Sequence, residues 1–332
     1  MIISRTPFRI SLFGGGTDYP TWYKKNKGCV ISASINKYCY ITLKELPPFF
    51  DYKYRLRYFK REEVNSINSI KHPSIRECLH YLKIEKNIDL VHYADLPAQS
   101  GMGSSSTFTV GLLHALYTLS YKMPTKYQLA IDAITIEQDI INEAVGSQDQ
   151  TNAAFGGFNK IDFGGVRKIV VSPIIIEPVK LKLLEDNLII FFTGISRSAH
   201  EVAQHQIKSI EKNQCENELS TIYDICCRAN DILMSHNSDI DELGHLLNEQ
   251  WLIKRELTNL ITNNKIDQIY EKGLKAGAIG GKLLGAGGGG FMLFYVPKNN
   301  RDSVLAALKD LLHIPFNFDF LGSQIIYHGY DE

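Results

Sequence analysis

Residues 97–106, Pro97-Ala98-Gln99-Ser100-Gly101-Met102-Gly103-Ser104-Ser105-Ser106, lie directly before a run of apolar residues at helical spacing. Glycine lets a backbone approach a ligand closely, and a helix N-terminus offers free N–H groups and a dipole that favours an anion. A serine N-cap after a glycine turn would explain part of this pattern. Three consecutive serines exceed what a cap needs, so a plain cap and a phosphate-binding loop both stay open at this point.

The composition excludes several classes of protein. The 332 residues include 36 basic and 36 acidic side chains, and this balance argues against broad capture of nucleic acid or anionic lipid. No apolar stretch approaches the roughly 18 residues that a membrane span needs, and no signal peptide is evident. The six cysteines form no C-x-x-C pair, which is typical of reduced thiols. We therefore expect a cytoplasmic protein of about two domains, without nucleic-acid or membrane partners.

The order of the predicted elements indicates an α+β fold, because strands come first and helices are mixed in later. We place the domain boundary between residues 180 and 181, which gives domains 1–180 and 181–332. The predicted elements are strands at 9–13 and 38–43, a buried helix after Gly103, a helix at about 125–145, a strand at 187–193, a mostly helical stretch at 198–262, a strand at 291–296, a helix at 301–312 and a strand at 324–327.

The predicted helix at 125–145 carries a carboxylate on its apolar face. At 100° per residue, Glu137 shares that face with alanine and isoleucine side chains. The opposite face, expected to be solvated, carries Asp132, Asp139 and Glu143. A buried charge is costly, so Glu137 needs either a basic partner in a salt bridge or a bound metal ion. Asp149 follows twelve residues later, close enough to serve the same site, although an Asp in such a loop is usually a turn former.

Two further glycine-rich stretches flank the centre of the chain. The first, Gly14-Gly15-Gly16-Thr17-Asp18, follows a strand that contains Arg9, whose guanidinium needs an anion unless it lies at a solvated edge. The second, Lys282-Leu283-Leu284-Gly285-Ala286-Gly287-Gly288-Gly289-Gly290, lies between apolar residues, whereas a linker has polar neighbours. We therefore expect the backbone of this second stretch to touch a ligand or another segment of backbone.

Other familiar signatures are missing or weak. The chain has no G-x-x-x-x-G-K-[ST] loop and no G-x-G-x-x-G between a strand and a helix. His200 and His205 are five residues apart and diverge by about 140° on a helix, so we predict no zinc site there. The basic cluster between Lys53 and Arg61 is expected on a solvated strand face.

Together, the three glycine-rich blocks resemble the signature motifs of the GHMP kinase superfamily, which comprises galacto-, homoserine, mevalonate and phosphomevalonate kinases. The order fits: R-x-P-x-R with GGGTDYP, then P-x-x-S-G-M-G-S-S-S, then K-L-L-G-A-G-G-G-G-F. The acidic helix and a G-x-Q-D-Q stretch lie between the second and third motifs, and the resemblance covers nearly the whole chain. It implies an N-terminal domain like ribosomal protein S5 domain 2 and a ferredoxin-like C-terminal domain.

Within the superfamily, the chain most resembles the branch of D-glycero-D-manno-heptose 7-phosphate kinases. This resemblance implies ATP-dependent phosphorylation of the C1 hydroxyl of the sugar phosphate to the 1,7-bisphosphate, on the route to GDP-heptose for capsule or lipopolysaccharide. The supporting stretches are 14–20, 35–42, 145–150, 155–159, 192–197 and 280–291.

The resemblance also implies roles for individual residues. The loop Ser100–Ser106, with Pro97 before it, would bind the phosphates of ATP. Ser105, or its neighbour Ser104, would hold Mg²⁺ together with Glu137. Asp149 would act as the general base toward the sugar hydroxyl, with Arg9 beside it. The substrate-binding positions would be Gly15, Gly16, Thr17, Asp18, Arg197, Lys282, Gly287 and Gly288. Either Arg197 or the Lys53–Arg61 cluster would hold the phosphate of the sugar.

The chain departs from the commonest superfamily patterns at two places. Gly14-Gly15-Gly16 replaces the G-E-H of galactokinases, which argues against galactose, and Ser106 replaces a common alanine without an evident role. Three alternatives remain: a GHMP kinase for another sugar such as fucose, a catalytically silent sugar and ATP sensor, and RNA binding through the S5-like domain. The joint presence of Arg9, Ser105, Glu137 and Asp149 disfavours the sensor, and the zero net charge disfavours RNA.

Overall fold

The structure, a computed structural model, describes residues 1–98, 101–166, 168–195 and 199–329. The strands are β1 (Ile2–Phe13), β2 (Gly28–Glu45), β3 (Tyr54–Arg57), β4 (Arg61–Val64), β5 (Ile88–Ala94), β6 (Phe158–Gly164), β7 (Lys168–Pro173), β8 (Leu188–Phe192), β9 (Gly280–Leu283), β10 (Phe291–Tyr295), β11 (Leu312–His313), β12 (Phe318–Asp319) and β13 (Gln324–His328). The helices are α1 (Pro20–Tyr23), α2 (Pro73–Tyr81), α3 (Ser104–Leu119), α4 (Lys126–Ile134), α5 (Gln148–Phe155), α6 (Pro178–Asn187), α7 (Ala199–Glu211), α8 (Glu216–Met234), α9 (Glu242–Glu256), α10 (Asn264–Lys275) and α11 (Arg301–Ala307).

The long strand β2 organises the first sheet. Its 18 residues pair with β1, β5 and β6, all antiparallel. The strand order is β13-β1-β2-β5-β3-β4, with β6 and β12 also paired to β2 and β7 paired to β6. The first eight residues of β2 are buried, and further along buried and half-buried residues alternate. Helix α3, in which ten residues are buried, packs on β1 and β2 and thereby covers this sheet.

The second sheet has four antiparallel strands in the order β11-β8-β10-β9. Along the chain, its elements run from β8 through helices to β9 and β10, and then through α11 to β11. This is the β-α-β-β-α-β pattern of ferredoxin-like domains. The α+β fold with two different domains, which the sequence predicts, is therefore confirmed.

The last two strands of the described chain return to the first sheet. Phe318 and Asp319 pair with the middle of β2, and β13 pairs with the start of β1. The first sheet thus includes strands from both sides of the boundary expected at residues 180 and 181. The return depends on Gly156, which has φ +66° and ψ −178°, a conformation essentially reserved for glycine. A Cβ atom on Gly156 would lie 1.8 Å from the backbone nitrogen of Gly322.

The single helix predicted at 125–145 is wrong in its second half. Helix α4 ends at Ile134, and Thr135–Ile140 form a π-helical turn. Within and after this turn, the N–H of Ile141 donates to the carbonyl of Ile136 at 2.8 Å, and the chain then leaves the helix at Asn142 with φ +61°. An apolar pattern over six residues cannot distinguish a π turn from an α turn. Such turns occur frequently at functional sites.

The prediction that Asp132 is solvated is also wrong. Its side chain is 1% exposed and accepts hydrogen bonds from Tyr81, Tyr117 and Gln128 at 2.7, 2.5 and 2.7 Å. Two of these donors come from the neighbouring helices α2 and α3. The periodicity of one helix does not indicate where other helices pack, so the sequence pattern could not predict these contacts. The helical stretch predicted at 198–262 consists of three helices, α7, α8 and α9.

The structure also bears on two expectations from the composition, the absence of a membrane span and the reduced state of the cysteines. Of the helices that the structure describes, none combines the length and the apolar character that a bilayer crossing requires. All six cysteines are free thiols, and the Sγ atoms of Cys29 and Cys226 lie 3.0 Å apart between β2 and α8.

We predict that Gly156→Ala lowers the free energy of unfolding by about 2 kcal/mol or more, since it adds backbone strain and a steric overlap with Gly322. The matched control is Gly165→Ala, because Gly165 has φ +53° but no atom near its Cβ position. Strain alone should cost this variant about 1 kcal/mol. Urea denaturation of both variants provides the comparison, and equal losses would contradict the close approach to Gly322.

Candidate active site

A cavity of about 630 Å³ lies between the two domains. All three glycine-rich stretches of the sequence contribute to its wall, together with the segment that follows the π turn and two helices of the second domain. The lining residues are Arg9, Ser11, Gly15, Gly16, Asp18, Tyr19, Gly101, Gly103, Ser104, Ser105, Ser106, Ile141, Asn142, Glu143, Ala144, Val145, Gly146, Gln148, Asp149, His200, Ala203, Gln206, Lys254, Lys282, Gly285 and Ala286.

The N-terminus of α3 opens into this cavity. The N-cap residue is Gly103, with φ +78°, so the serines lie inside the first helical turn and do not occupy the cap position. Because glycine has no side chain, the N–H groups of this turn receive no side-chain cap from it. The N-terminus of a 16-residue helix, with its dipole and with first-turn N–H groups that have no acceptor within the helix, forms a site suited to an anion.

The loop before α3 touches the C-terminal glycine run directly. Gly101 has φ +79°, and a Cβ on it would lie 2.3 Å from the carbonyl oxygen of Leu284. A Cβ on Gly285 would in turn lie 2.5 Å from the Cα of Gly101. Only residues without side chains allow two backbones to meet in this way. This contact holds the loop before α3, the candidate phosphate-binding loop, against the second domain.

Arg9 and Asp149 form a buried ion pair at the cavity wall. The Nε of Arg9 donates to Oδ1 of Asp149 at 2.8 Å, and Nη2 lies 2.6 Å from the same oxygen. The Nη1 atom donates to the carbonyl oxygen of Gly101 at 2.8 Å. The side chain of Arg9 is 3% exposed and that of Asp149 is 15% exposed, so the carboxylate can still contact a ligand. Arg9 is therefore an interior residue with an anionic partner, not a solvated edge residue.

Asp18 lies in the same cavity and is 3% exposed. One of its carboxylate oxygens accepts from the N–H of Gly16 at 3.0 Å, and the other accepts from the N–H of Gln148 at 3.4 Å. Burial raises the pKa of Asp18, and the nearby charge of Asp149 adds to this effect. Two carboxyl groups with different surroundings therefore face one cavity.

Glu137 is completely buried behind the first turn of α3. The hydroxyl of Ser106 donates to its Oε2 at 2.7 Å, and the amide of Gln150 donates to the same oxygen at 2.5 Å. Its Oε1 makes no hydrogen bond of good geometry, although the hydroxyl of Thr109 lies close enough to the carboxyl group to lower its pKa, and no described Arg or Lys forms an ion pair with it. Burial raises the pKa of Glu137 to about 7, with a contribution from the charge of Glu143. The buried salt bridge considered above is thus not found in the described residues, and Ser106 acquires a role as a hydrogen-bond donor.

Several predicted site residues lie away from the cavity. Pro97 is exposed, and Met102 is buried in the core. The hydroxyl of Thr17 bonds to the carbonyls of Gly14 and Cys29. Gly287 and Gly288 approach Ile261, whereas Gly285 and Ala286 line the cavity instead. Ser100 and Arg197 lie outside the residues that the structure describes.

The basic cluster between Lys53 and Arg61 also lies away from the cavity. Its members on β3 and β4 include Arg55, which pairs with Asp89 at 2.6 Å, and Arg61, which pairs with Glu63. None of the described residues in this cluster lines the cavity.

Sequence reasoning missed several cavity residues of the second domain. Lys254 is the clearest case, because it is 5% exposed and shares the buried face of α9 with Leu247, Gln250 and Trp251 at helical spacing. A lysine on a buried stripe is the same type of signal that drew attention to Glu137. His200 and Gln206 of α7 carry no comparable signal in the sequence.

Comparisons with known proteins agree with this geometry. A family model for the GHMP kinases N terminal domain matches residues 68–157, and a model for the GHMP kinases C terminal matches residues 227–314. The D-glycero-alpha-D-manno-heptose 7-phosphate kinase of Campylobacter jejuni is 28% identical over 317 residues, which cover 93% of each chain. The bifunctional fucokinase/GDP-fucose pyrophosphorylase of Arabidopsis thaliana is 28% identical over 205 residues, 60% of this chain and 19% of that protein.

Solved structures show the same architecture. A D-glycero-D-manno-heptose 1-phosphate kinase from Bacteroides thetaiotaomicron aligns over 100% of both chains with a TM-score of 0.81 at 23% identity. A putative sugar kinase from Campylobacter jejuni aligns over 98% of both chains with a TM-score of 0.72 at 27% identity. The two family models together span more than half of the chain, and its motifs meet in one cavity between two domains of the expected types. The chain therefore belongs to the GHMP kinase family and is a phosphotransferase that uses ATP as its phosphoryl donor.

Proposed function

We propose that this kinase phosphorylates the C1 hydroxyl of D-glycero-D-manno-heptose 7-phosphate to the 1,7-bisphosphate. The observation that carries the proposal is a single cavity that contains the Arg9–Asp149 pair, the N-terminus of α3 and the Gly14–Asp18 loop. Similarity to the Campylobacter jejuni heptose 7-phosphate kinase over 93% of both chains supports the substrate class. The product would serve the synthesis of GDP-heptose for capsule or lipopolysaccharide, in the cytoplasm.

The proposed phosphate site is the first turn of α3. The dipole of this helix and the N–H groups of its first turn would stabilise the negative charge of the ATP phosphates. Gly101 and Gly103 permit the close backbone approach, and Ser104 and Ser105 add hydroxyl groups at the cavity wall. A phosphoryl-transfer transition state needs mainly positioning and charge stabilisation, which such a turn can supply.

Asp149 is the residue proposed to receive the acceptor hydroxyl. Its carboxylate faces the cavity and keeps its position through Arg9. Because Arg9 already donates to one oxygen of Asp149, the other oxygen remains available to accept a hydrogen bond from the sugar hydroxyl. Asp149 would thus orient the hydroxyl and accept its proton as the new phosphate ester forms. Asp18, with Gly15, Gly16 and Lys282, would hold the other polar groups of the sugar.

The residues around Glu137 fit a divalent cation. A buried carboxylate oxygen without a donor, such as Oε1 of Glu137, is the type of ligand that Mg²⁺ prefers. We propose that Glu137 and Ser105 hold Mg²⁺, while Ser106 and Gln150 hold the second oxygen of Glu137. When bound, the cation would neutralise charge on the ATP phosphates.

A coupled ATPase assay tests the proposed function. The acceptors to compare are heptose 7-phosphate, mannose 6-phosphate, fucose, galactose and mevalonate, each with ATP and Mg²⁺. We expect selective turnover of heptose 7-phosphate and a new phosphorus NMR signal from a phosphate on C1. Selective turnover of fucose would instead favour the alternative that the fucokinase similarity suggests. ATP binding without turnover of any acceptor would favour a sensor.

We predict that Asp149→Asn lowers kcat by about 10²–10⁴-fold, since the amide cannot accept the proton of the hydroxyl. The affinity for ATP should stay within about twofold, because the first turn of α3 is unchanged. Steady-state kinetics and calorimetric ATP binding measure both quantities. Asp162→Asn is the matched control, because Asp162 pairs with Lys160 away from the cavity. Near-normal turnover of Asp149→Asn would remove Asp149 from the mechanism.

We predict that Glu137 makes the metal-free protein less stable as the pH rises. The pKa of Glu137 is raised from 4.5 to about 7, so between these values the folded protein holds a proton that the unfolded chain has released. From pH 5 to pH 8, the wild type should therefore lose about 3 kcal/mol of unfolding free energy relative to Glu137→Gln.

Denaturant unfolding at several pH values measures this difference. Adding Mg²⁺ with a non-hydrolysable ATP analogue at pH 8 should stabilise the wild type more than Glu137→Gln. Parallel pH profiles for the two proteins would show that the carboxyl group does not titrate as predicted, and equal stabilisation by the ligands would argue against a metal at Glu137.

A further inference from the structure

Two lysines in the cavity wall carry buried ammonium groups. Lys254 of α9 is 5% exposed, and Lys282 of β9 is 1% exposed. The Nζ of Lys254 donates to the carbonyl oxygen of Gly285 at 2.6 Å, and the Nζ of Lys282 donates to the carbonyl oxygen of Leu12 at 3.0 Å. Within the described ranges, neither lysine forms an ion pair with a carboxylate.

These ammonium groups have unused hydrogen-bond donors. Each ammonium carries three N–H groups, and one carbonyl per lysine leaves two of them without an acceptor among the described residues. A buried charge without full compensation is costly. Consistent with this cost, burial lowers the pKa of Lys254 to about 8 and that of Lys282 well below its usual range.

The carboxylates of the cavity are engaged elsewhere. Asp149 pairs with Arg9, and Asp18 accepts backbone N–H groups from Gly16 and Gln148. Glu143 lies on the segment whose Ala144 N–H donates to Nδ1 of His200 at 3.4 Å, and it forms no ion pair with either lysine among the described residues. No carboxylate of the described residues therefore forms an ion pair with either lysine, although the charge of Asp18 acts on both.

Lys282 lies beside the Gly14–Asp18 loop of the cavity, whereas Lys254 bonds to Gly285, which contacts Gly101. The carbonyl partner of Lys282, Leu12, lies two residues before this loop. The charge of Asp18 acts on both ammonium groups, and the charges of Arg9 and Asp149 also act on Lys254. Neither lysine bonds to the first turn of α3, where the phosphates of ATP have their proposed site. The lysines are thus placed to meet a group of the acceptor.

We propose that Lys254 and Lys282 together bind the phosphate group that the sugar acceptor brings with it and that is not transferred. This inference rests on the proposed function, because only a phosphorylated acceptor carries such a group. A phosphate monoester has about −1.5 to −2 charge near neutral pH and three oxygens that accept hydrogen bonds. Two ammonium groups supply two positive charges to balance this phosphate, and their four unused N–H groups can donate to its three oxygens.

The subsite explains how the kinase would select a phosphorylated sugar. An acceptor without a phosphate would leave two buried ammonium groups without an anion, whereas the phosphorylated acceptor would fill the subsite. Sites built from buried polar groups discriminate strongly against an analogue that lacks the matching group. Lys254, which lies far in sequence from the glycine-rich motifs, would therefore determine the class of substrate.

Paired kinetics with heptose 7-phosphate and unphosphorylated heptose test this assignment. We expect Lys254→Met to lower kcat/KM for heptose 7-phosphate by about 100-fold or more, mainly through KM, and to leave kcat/KM for heptose unchanged within about threefold. Lys160→Met is the control, because Lys160 pairs with Asp162 outside the cavity, and it should affect neither substrate. Equal losses on both substrates would assign Lys254 to the transferred phosphoryl group and overturn the subsite.

The wild-type protein provides a second test that does not depend on the folding of a variant. Inorganic phosphate should compete with heptose 7-phosphate but increase kcat/KM for heptose, because it fills the empty subsite beside the smaller acceptor. Inhibition of both reactions, or no effect on either, would contradict the proposal.

A binding measurement separates failure of the subsite from failure of the proposed function. With a non-hydrolysable ATP analogue bound, inorganic phosphate should raise the melting temperature of the wild type and of Lys160→Met but not of Lys254→Met. If no phosphorylated sugar is turned over and this stabilisation is still seen, the proposed acceptor is wrong and the anion subsite stands. If heptose 7-phosphate is turned over and phosphate does not raise the melting temperature, heptose 7-phosphate is the acceptor but Lys254 and Lys282 do not form its phosphate subsite.

Discussion

The guanidinium group of Arg9 connects the parts of the active site. Its side chain bonds to Asp149 on α5 and to the carbonyl of Gly101, and its backbone N–H donates to the carbonyl of Met102 at 3.4 Å. One residue of β1 thus determines where the acidic group and the loop before α3 lie relative to the first sheet. Because the pair is buried, the loss of Arg9 would leave a carboxylate and a carbonyl without their donors, and both positions would relax together.

Around this pair lie three buried ionisable groups that form no ion pair among the described residues: Lys254 and Lys282 in the cavity wall, and Glu137 behind the first turn of α3. Glu137, Lys254 and Lys282 are each buried on a regular element, and each keeps hydrogen-bonding capacity that the described protein does not use. Such groups destabilise the empty protein, and ligands of opposite charge compensate for them on binding. The cation would compensate the buried charge of Glu137, and the acceptor phosphate would compensate the charges of the two lysines. Binding of these ligands would therefore raise the free energy of unfolding.

The sequence predicts those parts of the site that depend on local patterns of residues. The glycine-rich loops are recognisable because close backbone contacts such as that between Gly101 and Gly285 require glycine, and Glu137 is recognisable as a charge on an apolar stripe. Lys254 has the same spacing, but its long apolar stem makes a lysine ordinary on a helix that is partly buried. The burial of Asp132 and the return of β12 and β13 depend on contacts between segments far apart in sequence, about which periodicity carries no information.

The pairing of β13 with β1 has a consequence for how the protein is made. Residue Ile2 faces His328 across the sheet, so a ribosome must synthesise all the sequence between these residues, including the ferredoxin-like domain, before the strand beside β1 exists. Until then, the edge of β1 in a nascent chain has unpaired N–H and C=O groups of the kind that can capture other strands. The ferredoxin-like domain, which lies between these strands in the chain, can assemble its own sheet first. Completion of the first sheet therefore follows synthesis of the ferredoxin-like domain, after a long interval in which chaperones can act.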